Sequence, residues 1–289
     1  MTDKQKNLIV RAITGFLYVA IVVTSFYRPF AMMILFALVT GMTIWEYGGL
    51  VNDGKDIRIN RFISCVAGVY FFLTVAGFCV GYVSTEAFIP YLITVVYLMI
   101  SELYTKAANP INNWAYTMLS QMYIALPLSM INVLAFASSP NHQQIGYNYL
   151  LPLSVFVFLW VSDTGAYCAG SLLGRHKLFP RISPAKSWEG CIGGGLFVLL
   201  AAWLISRFDS SGETGVSMLT TWQWLGLGLV VTVFGTLGDL VESLFKRTLG
   251  VKDSGNILPG HGGMLDRFDS ALMAIPAAVI YIFTISSML

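Results

Sequence analysis

The chain has 289 residues, of which 56% are apolar and only 11% are charged, with a formal net charge of +2. A soluble domain carries about 25% charged residues, so this chain could not cover a water-facing surface, and the composition implies a protein dissolved largely in lipid. That excludes a separate soluble domain: apolar blocks of about 20 residues, the length of a spanning helix, use most of the chain. Any chemistry must therefore sit in the helix bundle or its loops.

The fold class expected is all-α, a polytopic transmembrane helix bundle of about nine spans. In chain order the apolar blocks are 8–27, 29–47, 62–83, 88–104, 115–137, 149–172, 190–206, 222–245 and 268–288. Helices follow because backbone groups in hydrocarbon must be satisfied within their own segment, and no series of short alternating strands suggests a barrel. The first block follows Lys4, Lys6 and Arg11 as a signal peptide would. No small-residue cleavage site follows it, so it reads as an uncleaved span. Pro127, Pro152 and Pro276 are expected to kink or start helices. The whole chain is read as one integral membrane domain, with 1–148 as scaffold, dimer- and lipid-facing spans, and 149–289 as the catalytic spans and loops.

Orientation follows from the basic residues. With the N-terminus cytoplasmic and nine spans, every one of the 17 Lys and Arg residues except Arg28 and Arg207 falls on the cytoplasmic side, a strong positive-inside bias. The C-terminus is then outside. Two cytoplasmic loops, about 173–189 and 245–267, hold most of the glycine, proline and polar residues that could do chemistry, while the outer segments 138–148 and 207–221 read as connectors. Cys65, Cys79, Cys168 and Cys191 lie in or beside apolar blocks without a CxxC pair, and read as small buried hydrophobes. Histidine is confined to His142, His176 and His261, which argues against a zinc site.

Charge within a span is costly and commonly functional. Asp163 sits well inside the sixth block, where buried structural hydrogen bonding and a site role are both open. Asp239, Glu242, Ser243 and Lys246 fall at i, i+3, i+4 and i+7 near the cytoplasmic end of the eighth block, and therefore share one helical face. Lys246 could simply neutralise Glu242. Gly235 and Gly238, a turn above, allow another backbone to come close.

The following loop carries Lys246, Arg247, Lys252 and Arg267 among glycines, with Asp266 and Asp269 at i, i+3 on the last helix. Its cations and exposed amides suit phosphate, as do free amides at the start of that helix. Carboxylates among phosphate-binding cations point to a hard divalent ion such as magnesium, which takes one or two carboxylates and leaves its other positions to water and phosphate. In the other loop Lys186 and Ser187 precede Gly190 and Gly193-Gly194-Gly195 at a helix start. That also suits phosphate, although it is no Walker A loop.

The run 243–269 resembles the signature of the phosphatidate cytidylyltransferases, or CDP-diacylglycerol synthases. Ser243, Lys246-Arg247, Lys252-Asp253, Gly255, Leu258-Pro259, His261-Gly262-Gly263, Asp266-Arg267 and Asp269 each match an element of it. The resemblance extends to 183–190, with Ser187 where threonine is expected, and to 163–167. It covers roughly 155–289; the first five spans match only in character. It implies transfer of CMP from CTP to phosphatidic acid, giving CDP-diacylglycerol and pyrophosphate, with magnesium required and a second cation such as potassium beside it. It also implies a homodimer with a polar cavity open to the cytoplasm and sideways to the bilayer, and no nucleic-acid partner.

On this resemblance Asp239 and Asp266 ligate the metal, and Glu242 and Asp269 stand as outer-shell or secondary ligands. Lys246, Arg247, Lys252 and Arg267 hold phosphates. Lys186 and Ser183 contact nucleotide or lipid phosphate, with Glu189 and Ser243 at the substrate. His261 polarises the leaving group or fixes the loop. The rival readings are a CTP-dependent enzyme acting on another lipid, such as a polyprenol kinase or an archaeal-lipid cytidylyltransferase, and a transporter, which also has buried carboxylates.

Overall fold

The computed structural model describes residues 3–54, 57–106, 109–136, 146–209, 219–255, 257 and 262–286, the side chains of 3–11 and 286 excepted. Ten α-helices follow one another: α1 (Asp3–Phe26), α2 (Pro29–Asn52), α3 (Arg61–Val80), α4 (Ile89–Ser101), α5 (Pro110–Ser120), α6 (Leu126–Ala135), α7 (Leu150–Leu173), α8 (Trp188–Asp209), α9 (Thr221–Thr248) and α10 (Leu265–Ser286). Among the described residues, seven helices are long and apolar enough to cross a membrane, one of them the continuous run Pro110–Ala135 through α5 and α6. The fully described part of α1, Ala12–Phe26, and the shorter apolar run Thr85–Ser101 occupy the places of the first and fourth expected spans. The protein is a multi-pass, helical membrane protein.

The all-α expectation has one exception. Strands β1 (Lys177–Phe179) and β2 (Ser183–Ser187) form an antiparallel hairpin between α7 and α8, in the register Lys177↔Ser187 and Phe179↔Ser183. The strands are too short for period-2 alternation to show in the sequence.

The chain divides into two compact units, the first formed by 1–133 with 248–268 and the second by 134–247 with 269–289. In the first unit α2 and α3 pack closely through glycine: a Cβ at Gly68 would collide with Ile44, and one at Gly41 would lie 3.0 Å from Val69 Cγ2. A π turn, Gln121–Ala125, joins α5 to α6, whose second residue is Pro127, the position at which proline withholds a backbone donor. Gln121 uses the turn to donate to the carbonyl of Ser64 on α3 at 3.0 Å. Phe268 packs edge-on against Tyr18 and Phe36, tying the start of α10 to α1 and α2.

In the second unit α7 and α8 meet along a seam of small residues. A Cβ at Gly165 would stand 3.1 Å from the Gly194 Cα, one at Gly170 would stand 3.6 Å from the Gly190 Cα, and one at Gly193 would collide with Ala169. The glycines at the start of α8 therefore serve backbone approach; Gly195 has nothing within 4 Å of a built Cβ. Gly235 and Gly238 act as expected. A side chain at Gly235 would strike Leu159 of α7, and one at Gly238 would meet the Asp269 carbonyl of α10 at 2.8 Å. Proline starts α7 at Pro152 and lies inside α10 at Pro276.

Candidate active site

Within the second unit, Asp239 and Ser243 lie on one face of α9, and the Ser243 hydroxyl donates to Asp239 Oδ1 at 3.2 Å. The other oxygen, Oδ2, is 2.5 Å from Lys186 Nζ. Lys186 reaches it because β2 runs directly into α8, with Ser187 accepting from the Gly190 amide at 3.1 Å as the cap. Ser183 opens the same strand, half-buried. One turn along α9, Glu242 is fully buried and pairs with Lys246 at 2.7 Å. The four residues predicted to form a stripe thus form two linked pairs.

Asp269 completes this cluster from α10. Its Oδ1 accepts the Ser270 amide at 2.5 Å, and the charges of Asp239, Asp163 and Lys246 all act on it. Asp163 is exposed rather than buried, on a cleft of about 340 Å³ that it lines with Ser162, Lys186, Ser187, Cys191 and Thr236. The reason is the small-residue seam behind it, which leaves α7 and α8 without side-chain bulk at this level.

Glu189 is bound to the hairpin. Its carboxylate accepts from the His176 backbone amide at 3.1 Å and lies 2.6 Å from His176 Nδ1, so it fastens the hairpin to α8. Arg247, at the end of α9, and Lys252, in the following loop, are exposed. His261 lies outside the described residues.

Asp266 belongs to the first unit. Its Oδ2 accepts amides from Ser254 at 2.9 Å and Gly263 at 2.8 Å, and lies 2.9 Å from the Ser254 hydroxyl. The neighbouring Arg267 is half-buried, and its carbonyl accepts from the Tyr18 hydroxyl at 3.4 Å. The free amides expected to receive phosphate at the start of α10 are already occupied: those of Met264 and Leu265 donate to Glu46 of α2, at 2.8 Å and 3.1 Å. Helix N-termini favour any anion, and here it is the protein's own carboxylate. Glu46 was overlooked in the sequence, although it is the one charged residue within 29–52 and the rule that singles out Asp163 and Asp239 applies to it equally.

Asp239 and Asp269 in the second unit and Asp266 in the first each offer hard oxygen donors of the kind magnesium takes. Among the described residues no cage of three or more His, Cys, Asp or Glu is gathered around one point. That fits an ion which needs only one or two carboxylates and completes its shell with water and phosphate.

A bundle of apolar helices of this length and composition, with a carboxylate and lysine cluster on α9 joined from β2 and α10, defines a multi-pass membrane protein with charged groups held among its helices. Residues 9–285 match the cytidylyltransferase family, and the chain belongs to it. Over 134 residues it is 49% identical to the phosphatidate cytidylyltransferase of Staphylococcus aureus (strain COL), covering 45% of this chain and 47% of that one. It is 48% identical over 131 residues to the phosphatidate cytidylyltransferase of Staphylococcus haemolyticus (45% and 47%) and 45% identical over 140 residues to that of Staphylococcus saprophyticus (48% and 51%). The alignments thus span about half the length of these curated relatives.

Proposed function

We propose that the protein is a phosphatidate cytidylyltransferase, which makes CDP-diacylglycerol and pyrophosphate from CTP and phosphatidic acid for phospholipid biosynthesis. The observation that carries this reading is the Lys186–Asp239 pair at 2.5 Å beside the Asp163 cleft, in a chain matched to the family over 9–285. Phosphatidate brings its own nucleophile, a phosphate oxygen, so no serine or cysteine nucleophile is needed. That oxygen attacks the CTP α-phosphorus; the bond from the α-phosphorus to the bridging oxygen breaks, and pyrophosphate leaves with the electron pair.

The burden on the protein is to hold two polyanions together and to steady the leaving group, which positioned cations do. Lys186, Lys246, Arg247, Lys252 and Arg267 are the cations assigned to this task, with Ser183 and Ser243 as hydroxyl partners and His261 beside the leaving group. Asp239 and Asp266 are the residues assigned to hold magnesium, which would supply charge neutralisation between the reactants. Glu242 and Asp269 support that arrangement. A second cation such as potassium, a homodimeric assembly, nine spans and a cytoplasmic site in the cell membrane belong to the same reading.

The test is a radiolabelled CTP assay on purified protein, with and without phosphatidate and magnesium. Label entering lipid only when both are present supports the proposal. Label entering a polyprenol or an archaeal-type ether lipid instead would move the protein to a sister activity, and no lipid labelling at all would overturn the reading.

A further inference from the structure

Glu46 stands on α2, only 7% exposed, and no site assignment uses it. Among the described residues, every polar contact of its carboxylate runs to one segment more than two hundred residues away. Oε2 accepts the Met264 amide at 2.8 Å, Oε1 accepts the Leu265 amide at 3.1 Å, and the Ser254 hydroxyl also bonds to Oε1. Ser254 is the shared link: its amide and its hydroxyl both lie 2.9 Å from Asp266 Oδ2. A buried carboxylate, Glu46, and a half-buried one, Asp266, from distant parts of the chain thus grip one serine and four backbone amides between them.

The glycines of the segment make room for this grip. A Cβ at Gly255 would lie 2.7 Å from Glu46 Oε2, and one at Gly263 would collide with both Glu46 oxygens. Gly262 holds φ +81° and a Cβ there would press on Asp266 Oδ2 at 2.5 Å, a conformation that favours glycine. Three glycines of the 255–263 stretch are therefore explained by carboxylates on either side of it. The first amides of a helix have no partner within the helix, and a charged acceptor gives hydrogen bonds roughly twice as strong as a neutral one.

We infer that Glu46 is a positioning residue for the reaction: by holding Ser254, Met264 and Leu265 it fixes the start of α10, which carries Asp266, against Ser254 and so sets the direction of the Asp266 carboxylate. This rests on the proposed cytidylyltransferase reading, in which Asp266 serves the metal. A glutamine at 46 keeps one acceptor oxygen but turns an NH2 group toward amides that are themselves donors. An aspartate keeps the charge on a shorter arm.

The experiment compares the full-length wild type with Glu46→Gln, Glu46→Asp and Ser254→Ala, purified side by side in detergent. CTP turnover is titrated with magnesium, and amide exchange is followed over 254–266. The expected result is a Glu46→Gln turnover at least tenfold below wild type, a magnesium half-saturation raised severalfold, a CTP KM within about twofold and faster exchange at Met264 and Leu265. Glu46→Asp recovers part of the turnover, and Ser254→Ala shifts the magnesium titration in the same direction. Folded Glu46→Gln with wild-type exchange and magnesium titration overturns the inference. If Glu46→Gln does not fold, a wild-type titration in Ser254→Ala overturns it, and aggregation of both variants does so in favour of a purely structural role. Absence of turnover in the wild type is a different outcome: it defeats the proposed activity, while the exchange data still report whether Glu46 holds the loop.

Discussion

Lys186 Nζ lies 2.5 Å from Asp239 Oδ2, bringing the short hairpin onto α9. Both side chains keep about a quarter of their surface exposed, 24% and 29%, so the pair is screened and contributes little to stability. Its value is chemical. On the proposed reading each partner would neutralise the other until a polyphosphate with its cation arrived, when lysine would turn to phosphate and aspartate to metal without leaving either charge unpaired. Lys186→Met is therefore expected to lower turnover about a hundredfold, the scale of losing one transition-state donor, with the thermal midpoint moved by no more than a few degrees. Turnover within a factor of three of wild type would reject the role.

Asp239→Asn tests the other half of the pair. It keeps the size of the side chain and the Ser243 hydrogen bond but removes the charge. Turnover should vanish or require far more magnesium. An unchanged magnesium titration would count against Asp239 as a ligand.

The sequence alone leads to the expectation that Asp163→Asn harms stability as much as turnover. Its exposure on the cleft changes that expectation. An exposed carboxylate loses little stability on neutralisation, yet the cleft loses one of its charges. The outcome predicted is a protein that melts near the wild-type temperature with turnover reduced at least tenfold. Equal loss of both would return Asp163 to a structural role.

What the sequence discloses and what it hides divide along one line. The apolar runs, the i, i+3, i+4, i+7 stripe of α9 and the prolines are local patterns, and a single helix reports them. Gly238 is legible as a close-approach site because it neighbours a charged stripe that must face protein. Glu46 is not legible as a partner of Ser254, because nothing local links α2 to a loop two hundred residues later. The packing role of Gly190, Gly193 and Gly194 is hidden for the same reason: a glycine cluster at a helix start looks alike with or without a second helix against it. Only the α7 partners Gly165, Ala169 and Gly170 reveal it.

Helix packing in the second unit gives a stability prediction. A methyl at Gly238 would press on the Asp269 carbonyl at 2.8 Å and the Ser270 carbonyl at 3.1 Å, neither of which can move without shifting α10. Gly238→Ala should destabilise by roughly 1–3 kcal/mol, read as a lower midpoint in thermal or denaturant unfolding. Gly195→Ala is the control, since a built Cβ there has open space around it. Equal stability of the two variants would show that α9 and α10 do not pack through Gly238.

Membrane topology supplies the last test. Among the described residues seven of the expected spans are long and apolar enough, and whether α1 and the run Thr85–Ser101 also cross decides the total. If both cross, the count is nine. Arg28 lies beyond the first span and Arg207 at the outer end of α8, while Lys186, Lys246, Arg247, Lys252 and Arg267 share the cytoplasmic side. A reporter fused after Leu289 should then be active only outside the cell, and one placed before α1 only inside. A cysteine introduced in the 138–148 segment should react with an impermeant reagent in intact cells, whereas Ser254→Cys should not. If only one of these two segments crosses, both termini fall on the same side. Failure of the fourth helix alone, for instance, keeps the N-terminus inside, turns every later segment over and places Lys186 and Asp239 outside. That result would remove the site from the compartment that holds CTP.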